Sequence, residues 1–326
     1  MISKTFFYKS IKISVLIMGI IVLFNVAVND YGLFGNVSGR EIKIYSYLGS
    51  ERLSKYLFSY NYIPSNFEGI LIGSSVSDNL NTKLIQEFKI YNASLISGNI
   101  SELRYIVDNL IQNNKKIWFM IICLDPYITK DSGRKTSYIH PREYWGALGS
   151  LDTVKMHISK LFVYVRLLPD YCNDYGYYNF NVDKVGIDSE KAIKEAARHS
   201  RIEKIEIDDD ALRDLKGVVS NAKKHGLKVF AFYYPRPREL YLLNKQPYSA
   251  YQTIINSAFS PEDLVWDFNG EYYKEFTRDY KNYSDSGHLS DAGALFLLKE
   301  IRNQILQAYT GSTAAPVPAA EPISRR

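Results

Sequence analysis

The chain has 326 residues, of which 46% are hydrophobic and 23% are charged, and this composition excludes disordered, collagen-like and multi-span membrane proteins. Its net charge of +5 is spread along the sequence without a block of like charges, so nucleic acid is not an expected partner. Two cysteines exclude a disulfide scaffold and a CxxC metal site, and no pattern in the sequence predicts a metal or another cofactor.

The first predicted element is a membrane anchor over residues 13–29. This stretch contains no charged residue, and three lysines precede it. As a helix it is about 25 Å long, and lysine and aromatic side chains at its ends help it to cross a hydrocarbon core of ~30 Å. The positive-inside bias keeps residues 1–12 in the cytoplasm and places the body of the chain in the periplasm or outside the cell. A cleavable signal peptide is the alternative, although residues 25–27 form a poor cleavage site.

After a membrane-proximal stalk over residues 30–66, which contains an amphipathic helix from Glu51 to Tyr60, apolar runs alternate with helical segments. Strands without polar alternation are typical of a parallel sheet that is covered by helices on both faces. The sequence therefore predicts an α/β fold with a mostly parallel five-stranded sheet. The predicted strands lie in residues 67–75, 89–95, 115–126, 227–235 and 263–268, and the predicted helices lie in residues 81–88, 100–114, 209–225 and 290–309.

The sheet does not need the residues from about 127 to 208. A structureless loop of that length is improbable, and two helices are predicted within it, over 151–168 and 188–199. The first has five apolar residues on one face: Val154, Ile158, Leu161, Phe162 and Val165. We therefore expect a helical cap that shapes access to a site. Residues 310–326 are rich in proline and alanine, which predicts a disordered tail.

A candidate nucleophile, Ser75, follows the first strand. The carboxyl ends of parallel strands open into one crevice, and a serine between a strand and a helix lies near backbone amides that can stabilise an oxyanion. Glycine and serine are also ordinary turn residues. The Gly-Ser-Ser sequence is therefore weak support when taken alone.

A second group, Asp285 and His288, precedes the last predicted helix. A neutral imidazole can remove the proton of a serine hydroxyl, and a carboxylate fixes the tautomer of that imidazole. The other four histidines fall in the cap or at helix ends, where a cation is favourable near a helix carboxyl terminus; they are His140, His157, His199 and His225. The residues thus indicate a serine, histidine and aspartate site for acyl transfer.

These motifs resemble the SGNH, or GDSL, hydrolase superfamily over residues 67 to about 309. The carriers of the resemblance are Gly-x-Ser at Ser75, Ser-Gly-Asn around Gly98 and Asn99, and the terminal Asp-x-x-His. It implies a flavodoxin-like three-layer α/β/α sandwich with Ser75 as nucleophile, His288 as base and Asp285 as its orienting acid. It also implies an oxyanion hole that includes the backbone N–H groups of Ser75 and Gly98.

The sequence departs from the family pattern at two positions. Ser74 replaces an aspartate that is not the triad acid. Asp125 ends the third strand where the family has an asparagine that donates to the oxyanion, and an ionised carboxylate cannot donate. Either Asn99 supplies the missing donor, or Asp125 begins a loop that only shapes the site.

The finer resemblance is to membrane-anchored members that are associated with acylation of bacterial envelope polysaccharides. The anchor, the stalk that starts near NDYGLFG and the VWDFNG segment carry it. It implies an extracytoplasmic O-acetyltransferase or acetylesterase that acts on a polysaccharide, beside a multi-span membrane acyltransferase. The alternative is a catalytically weak scaffold that binds polysaccharide or an envelope assembly partner.

Overall fold

The computed structural model describes residues 4–44, 51–130, 139, 142–149, 151–199 and 201–310. Two predictions, the place of His140 in the cap and the disordered tail after residue 310, lie outside these residues.

Five strands form one open sheet with every neighbouring pair parallel. The strands are β1 (Gly69–Ile72), β2 (Ile90–Asn92), β3 (Phe119–Leu124), β4 (Lys228–Tyr233) and β5 (Leu264–Asp267). Their order in the sheet is β2-β1-β3-β4-β5, which is the flavodoxin-like order. The predicted α/β class and the five-stranded sheet are confirmed, and the sheet is parallel throughout.

The described part of the chain contains thirteen α-helices. In chain order these are α1 (Lys4–Val28), α2 (Glu51–Phe58), α3 (Tyr62–Asn66), α4 (Ser75–Asp78), α5 (Ile100–Gln112), α6 (Glu143–Gly146), α7 (Leu151–Tyr164), α8 (Ser189–His199), α9 (Asp209–Lys224), α10 (Arg238–Leu243), α11 (Lys245–Ile255), α12 (Lys274–Arg278) and α13 (Asp291–Thr310). The helices α7 and α8 correspond to the two helices predicted within the cap.

Helices cover both faces of the sheet, as the continuous apolar strands predict. Side chains of α2, α3, α5, α9 and α11 form one core with one face of the strands. Side chains of α8, α12 and α13 form a second core with the other face. Strand β3 shows the division, because Met120 and Ile122 point into the first core while Phe119 and Ile121 point into the second. The result is a three-layer sandwich.

Helix α1 is long and apolar enough to cross a membrane, with a mean hydropathy of 2.5 over its most apolar window. A signal sequence near the amino terminus passes the same test. Asn25 is the buried residue of this helix, so its apolar surface is exposed along nearly the whole length. The helix contains most of the predicted anchor and begins earlier, at Lys4.

The helix predicted over residues 81–88 is wrong. A short 3-10 helix, Thr82–Leu84, occupies this segment, and the helix that follows β1 is α4. The hydroxyl of Thr82 donates to the carbonyl of Ile90 at 2.6 Å, and Ile85 and Phe88 pack separately into the second core. Tertiary packing of these side chains overrides the local helical pattern.

Candidate active site

Ser75 is the first residue of α4, directly beyond the carboxyl end of β1. The turn between strand and helix is tight at Gly73, where an added Cβ would lie 2.2 Å from Ser77 Oγ and 2.8 Å from Cys123 Cβ. Only glycine fits there. Ser74 is fully buried and caps the helix, whereas Ser75 is partly exposed. Of the two serines, Ser75 is therefore the one that a ligand can reach.

A buried ion cluster lies beneath α4. The ammonium of Lys55 is fully buried, donates to Asp78 Oδ1 and to the carbonyl of Ser94 at 2.5 Å each, and lies 2.7 Å from Glu51 Oε1. Burial alone lowers the pKa of Lys55, but the charges of Asp78 and Glu51 outweigh it and raise that pKa. The charged lysine thus ties α2 to the end of α4 and to the segment after β2.

The amide of Asn92, at the end of β2, holds α4 from a second side. It donates to three backbone carbonyls, those of Ser77, Asp78 and Leu80. Ser77 and Asp78 are the last two residues of α4, and Leu80 follows the helix by two positions, so this amide holds the carboxyl-terminal end of the helix. The Asn92 side chain is fully buried, so the position of α4 relative to the sheet is fixed.

The start of α4 offers two backbone donors beside the Ser75 hydroxyl. The N–H groups of Ser75 and Val76 occupy the first two helical positions, which have no intrahelical acceptor. Within the described ranges no carbonyl or side-chain oxygen accepts from either of them. This pair of donors can stabilise negative charge that develops on an oxygen near Ser75.

Asp285 and His288 are in contact. Both carboxylate oxygens of Asp285 lie 3.1 Å from His288 Nδ1, and Oδ1 also accepts the N–H groups of Gly287 and His288 at 2.7 Å each. Lys184 donates to the other oxygen. Burial raises the pKa of Asp285, but hydrogen bonds from His288 and Lys184 outweigh it and lower that pKa below its usual range. The carboxylate is therefore ionised and oriented towards the imidazole.

The segment that carries His288 is held against α4. The N–H of Leu289 donates to the hydroxyl of Tyr234 at 2.8 Å, and the carbonyl of Leu289 accepts the amide of Asn79 at 2.9 Å. Tyr234 follows β4, and Asn79 lies one helical turn after Ser75. These two bonds bring the predicted first and last motifs together at the carboxyl edge of the sheet.

The structure does not join all of the predicted residues. Among the described residues the Ser75 hydroxyl has no hydrogen bond, so a bond between Ser75 and His288 is not formed. The N–H of Gly98 donates to the carbonyl of Leu95 at 2.9 Å, and the side-chain oxygen of Asn99 accepts the N–H of Glu102 at 3.1 Å. Gly98 therefore uses its donor within a turn, and Asn99 acts as the cap of α5.

Asp125 caps the short 3-10 helix Pro126–Thr129 that follows β3, and that this segment only shapes the site stays a prediction. Asp125 is fully buried, accepts the N–H of Tyr127 at 2.7 Å and lies 2.6 Å from the guanidinium of Arg236. Burial lowers the pKa of Arg236, but nearby Tyr248 and Asp125 outweigh it and raise that pKa. The edge of the sheet thus holds a partly buried guanidinium close to the end of the third strand. Neither this arginine nor Lys55 nor Lys184 is marked as a site residue by any local pattern in the sequence.

No set of three histidine, cysteine, aspartate or glutamate residues in the described ranges could hold a metal ion. The two cysteines, Cys123 and Cys172, are buried and form no disulfide bond. Burial raises the pKa of the Cys123 thiol, which therefore stays protonated and unreactive.

The contact between Asp285 and His288 predicts a pH dependence of stability. Folding lowers the pKa of Asp285. Its ionised form therefore stabilises the fold fully at pH values above about 3.9, the ordinary pKa of an aspartate in an unfolded chain. This stabilisation is lost as the pH falls towards the lowered pKa of the folded state. Asp285→Asn should therefore be less stable than the parent above about pH 5, with the difference shrinking below about pH 4.

Urea unfolding followed by circular dichroism at a series of pH values measures this difference. Glu262→Gln, which removes an exposed carboxylate, is the control. A difference between parent and Asp285→Asn that does not change between pH 3 and 7 contradicts the argument.

Comparisons with known proteins do not identify a family for this chain. No family model matches the chain, and no curated protein matches it. Solved structures that match include one from Streptococcus pneumonia, described as a platelet activating factor, with 10% sequence identity and a TM-score of 0.42. This match covers 78% of this chain and 91% of that chain. At this TM-score the likeness says nothing about the activity.

Proposed function

We propose that the chain is a serine-dependent acyl-transfer enzyme, an esterase or O-acyltransferase, with Ser75, His288 and Asp285 as its catalytic residues. The observation that carries the proposal is the oriented pair of Asp285 and His288, held by Leu289 against the helix that Ser75 begins. A carboxylate on one ring nitrogen fixes the tautomer and the orientation of the imidazole, which is what a base for a serine hydroxyl requires.

The reaction follows from these groups. Ser75 Oγ attacks the carbonyl carbon of an ester while His288 takes its proton, and the carbonyl oxygen becomes an oxyanion near the N–H groups of Ser75 and Val76. The tetrahedral intermediate expels the alcohol, which receives the proton from His288, and an acyl group remains on Ser75. Water or a sugar hydroxyl then gives its proton to His288 and attacks this acyl-enzyme. The bond between the acyl carbon and Ser75 Oγ breaks, the acyl group leaves as the free acid or the sugar ester, and Ser75 takes the proton back from His288. In ligand-free enzymes such hydrogen bonds are often long and shorten when substrate binds.

The substrate we propose is an acetylated or acetyl-accepting polysaccharide of the cell envelope. The apolar helix α1 supports a place at the membrane, and the three lysines near its start favour a cytoplasmic amino terminus and an exported body. The resemblance of the sequence to envelope members of the SGNH superfamily supports the glycan substrate and a multi-span acyltransferase as a partner.

Covalent labelling with a serine-directed fluorophosphonate tests the nucleophile. The adduct should form on the full-length parent and map to the peptide that contains Ser75. It should disappear in Ser75→Ala and form far more slowly in His288→Ala. Ser74→Ala is the matched control, because Ser74 is the buried neighbour whose hydroxyl has no hydrogen-bond partner within the described residues. Labelling that persists in Ser75→Ala removes Ser75 as the nucleophile.

A second candidate function is a glycan-binding scaffold with little catalysis. The occupied N–H of Gly98 and the absence of a bond between Ser75 and His288 in the described structure favour it. Binding of purified acetylated envelope polysaccharide, measured by calorimetry, separates the two functions. An enzyme releases acetate from the polysaccharide or from p-nitrophenyl acetate, whereas a scaffold binds with equal affinity in the parent and in Ser75→Ala and releases none.

A further inference from the structure

Helix α7 turns its apolar face away from the protein. The five apolar side chains that the sequence places on one face are between 36% and 57% exposed: Val154, Ile158, Leu161, Phe162 and Val165. The opposite side of the helix, with Thr153, Met156 and Ser159, is buried. A helix in water buries its apolar side. The arrangement in α7 is the reverse, so this face requires an apolar environment.

The exposed face continues beyond the helix. Tyr164 is 85% exposed and Leu167 is 72% exposed, so apolar surface extends from the middle of α7 past its carboxyl end. Isolated exposed apolar residues are ordinary on soluble proteins, but contiguous ones mark an interaction surface.

The position of α7 beside α1 indicates what covers this surface. The rings of His157 and Phe24 lie 5.2 Å apart, and His157 Nε2 lies 2.8 Å from the side-chain oxygen of Asn25. The amide nitrogen of Asn25 donates to the carbonyl of Leu148 at 2.6 Å. An asparagine in a membrane-spanning helix needs such partners, because hydrocarbon offers none. Helix α7 and the turn before it supply them.

These contacts reach well into the apolar part of α1. An added Cβ on Gly149 would lie 3.2 Å from Met18 Sδ, and Met18 precedes the last residue of α1, Val28, by ten positions, or about 15 Å along a helix. The segment before α7 therefore touches α1 within its apolar stretch. A bilayer that surrounds α1 at that level also meets the outward face of α7.

We propose that α7 lies in the membrane leaflet that surrounds the carboxyl-terminal half of α1, with its outward face against the acyl chains of bilayer lipids. The proposal goes beyond the proposed function and requires only that α1 spans the membrane. Polar groups mark the level of the headgroups: Asp30 lies 2.6 Å from His157 and 2.5 Å from Lys160. These three residues line a cavity of about 520 Å³ between α1 and α7.

Nitroxide labels on single introduced cysteines test this arrangement in the full-length chain, with one chain per lipid nanodisc. The native cysteines are buried, so labelling is selective. The labels are placed at Leu161→Cys on α7, Leu16→Cys on α1 and, as a control on the body, Lys216→Cys on α9. We expect the ratio of oxygen accessibility to nickel-chelate accessibility at position 161 to exceed that at 216 several-fold and to lie below that at 16, because position 161 is next to Lys160 at the headgroup level.

Each other outcome overturns the proposal in a distinct way. Chelate access at 161 together with oxygen access at 16 shows that α7 lies in water. Protection of 161 from both reagents shows that protein covers the face. Chelate access at 16 shows that α1 does not span the bilayer. Ile158→Cys repeats the measurement one helical turn earlier if Leu161→Cys loses its native circular dichroism. Because no activity is measured, the result is independent of the catalytic role of Ser75.

Discussion

Ser75→Ala in the full-length chain should lower kcat/KM for ester hydrolysis by about 10⁴- to 10⁶-fold, because removing a triad nucleophile leaves only binding and oxyanion stabilisation. His288→Ala should lower kcat/KM by a similar factor, since the Ser75 hydroxyl is a poor nucleophile without a base. The double variant should be no worse than either single variant, because residues that act as one unit do not contribute additively. Release of p-nitrophenol from the acetate ester measures all three rates.

Controls for this prediction come from the same edge of the sheet. Ser74→Ala should retain the parent rate, since the Ser74 side chain forms no capping hydrogen bond. An additive loss in the double variant, or turnover by Ser75→Ala within tenfold of the parent, is inconsistent with a nucleophile and base that act together.

Lys55→Met should destabilise the fold by about 3–5 kcal/mol, because it leaves the buried carboxylates of Asp78 and Glu51 without their cation. This is a large part of the roughly 5–15 kcal/mol that holds a typical domain together. Since Asp78 ends the helix that Ser75 begins, ester turnover should fall with stability. Urea unfolding in detergent micelles, followed by circular dichroism, measures the change.

The matched control for Lys55→Met is Lys83→Met. Lys83 pairs with Asp174 at 2.7 Å but is 46% exposed, and an exposed pair contributes only about 0.2–1 kcal/mol. Combining Lys55→Met with Asp78→Asn and Glu51→Gln should restore much of the stability that Lys55→Met removes, because no uncompensated charge stays buried. Equal destabilisation by Lys55→Met and Lys83→Met, or no recovery in the combined variant, refutes the role given to the buried charges.

The sequence predicted the strands and the longer helices other than α11 because their signals are local. Both faces of β3 and of β4 after Lys228 are covered, so these strands form apolar runs. Helix α9 shows a helical apolar period with its cap at Asp208. The segment over residues 81–88 has a similar pattern, yet Thr82 bonds to the β2 backbone and its apolar side chains pack separately. Such long-range contacts leave no periodic signal in the sequence.

The same distinction applies to the candidate site. Asp285 and His288 are three residues apart, so one turn determines their contact and the sequence predicts it. Lys184 meets Asp285 across 101 positions, and Arg236 meets Asp125 across 111. Neither pair follows from local spacing. Lys55 lies in a stretch predicted as a stalk, although its side chain is fully buried under α4. The roles of Gly98 and Asn99 in an oxyanion hole stay predictions.

The link between Lys184 and Asp285 connects the region expected to act as a cap with the acid of the candidate dyad. Displacement of the 3-10 helix Phe180–Lys184 removes a positive charge from that acid. The carboxylate keeps its hydrogen bonds to the backbone N–H groups of Gly287 and His288 and interacts more strongly with the imidazole. A ligand that enters beneath this segment and displaces it therefore also changes the charge distribution of the His288 ring. The ¹⁵N chemical shifts of the His288 ring would therefore report when this segment opens.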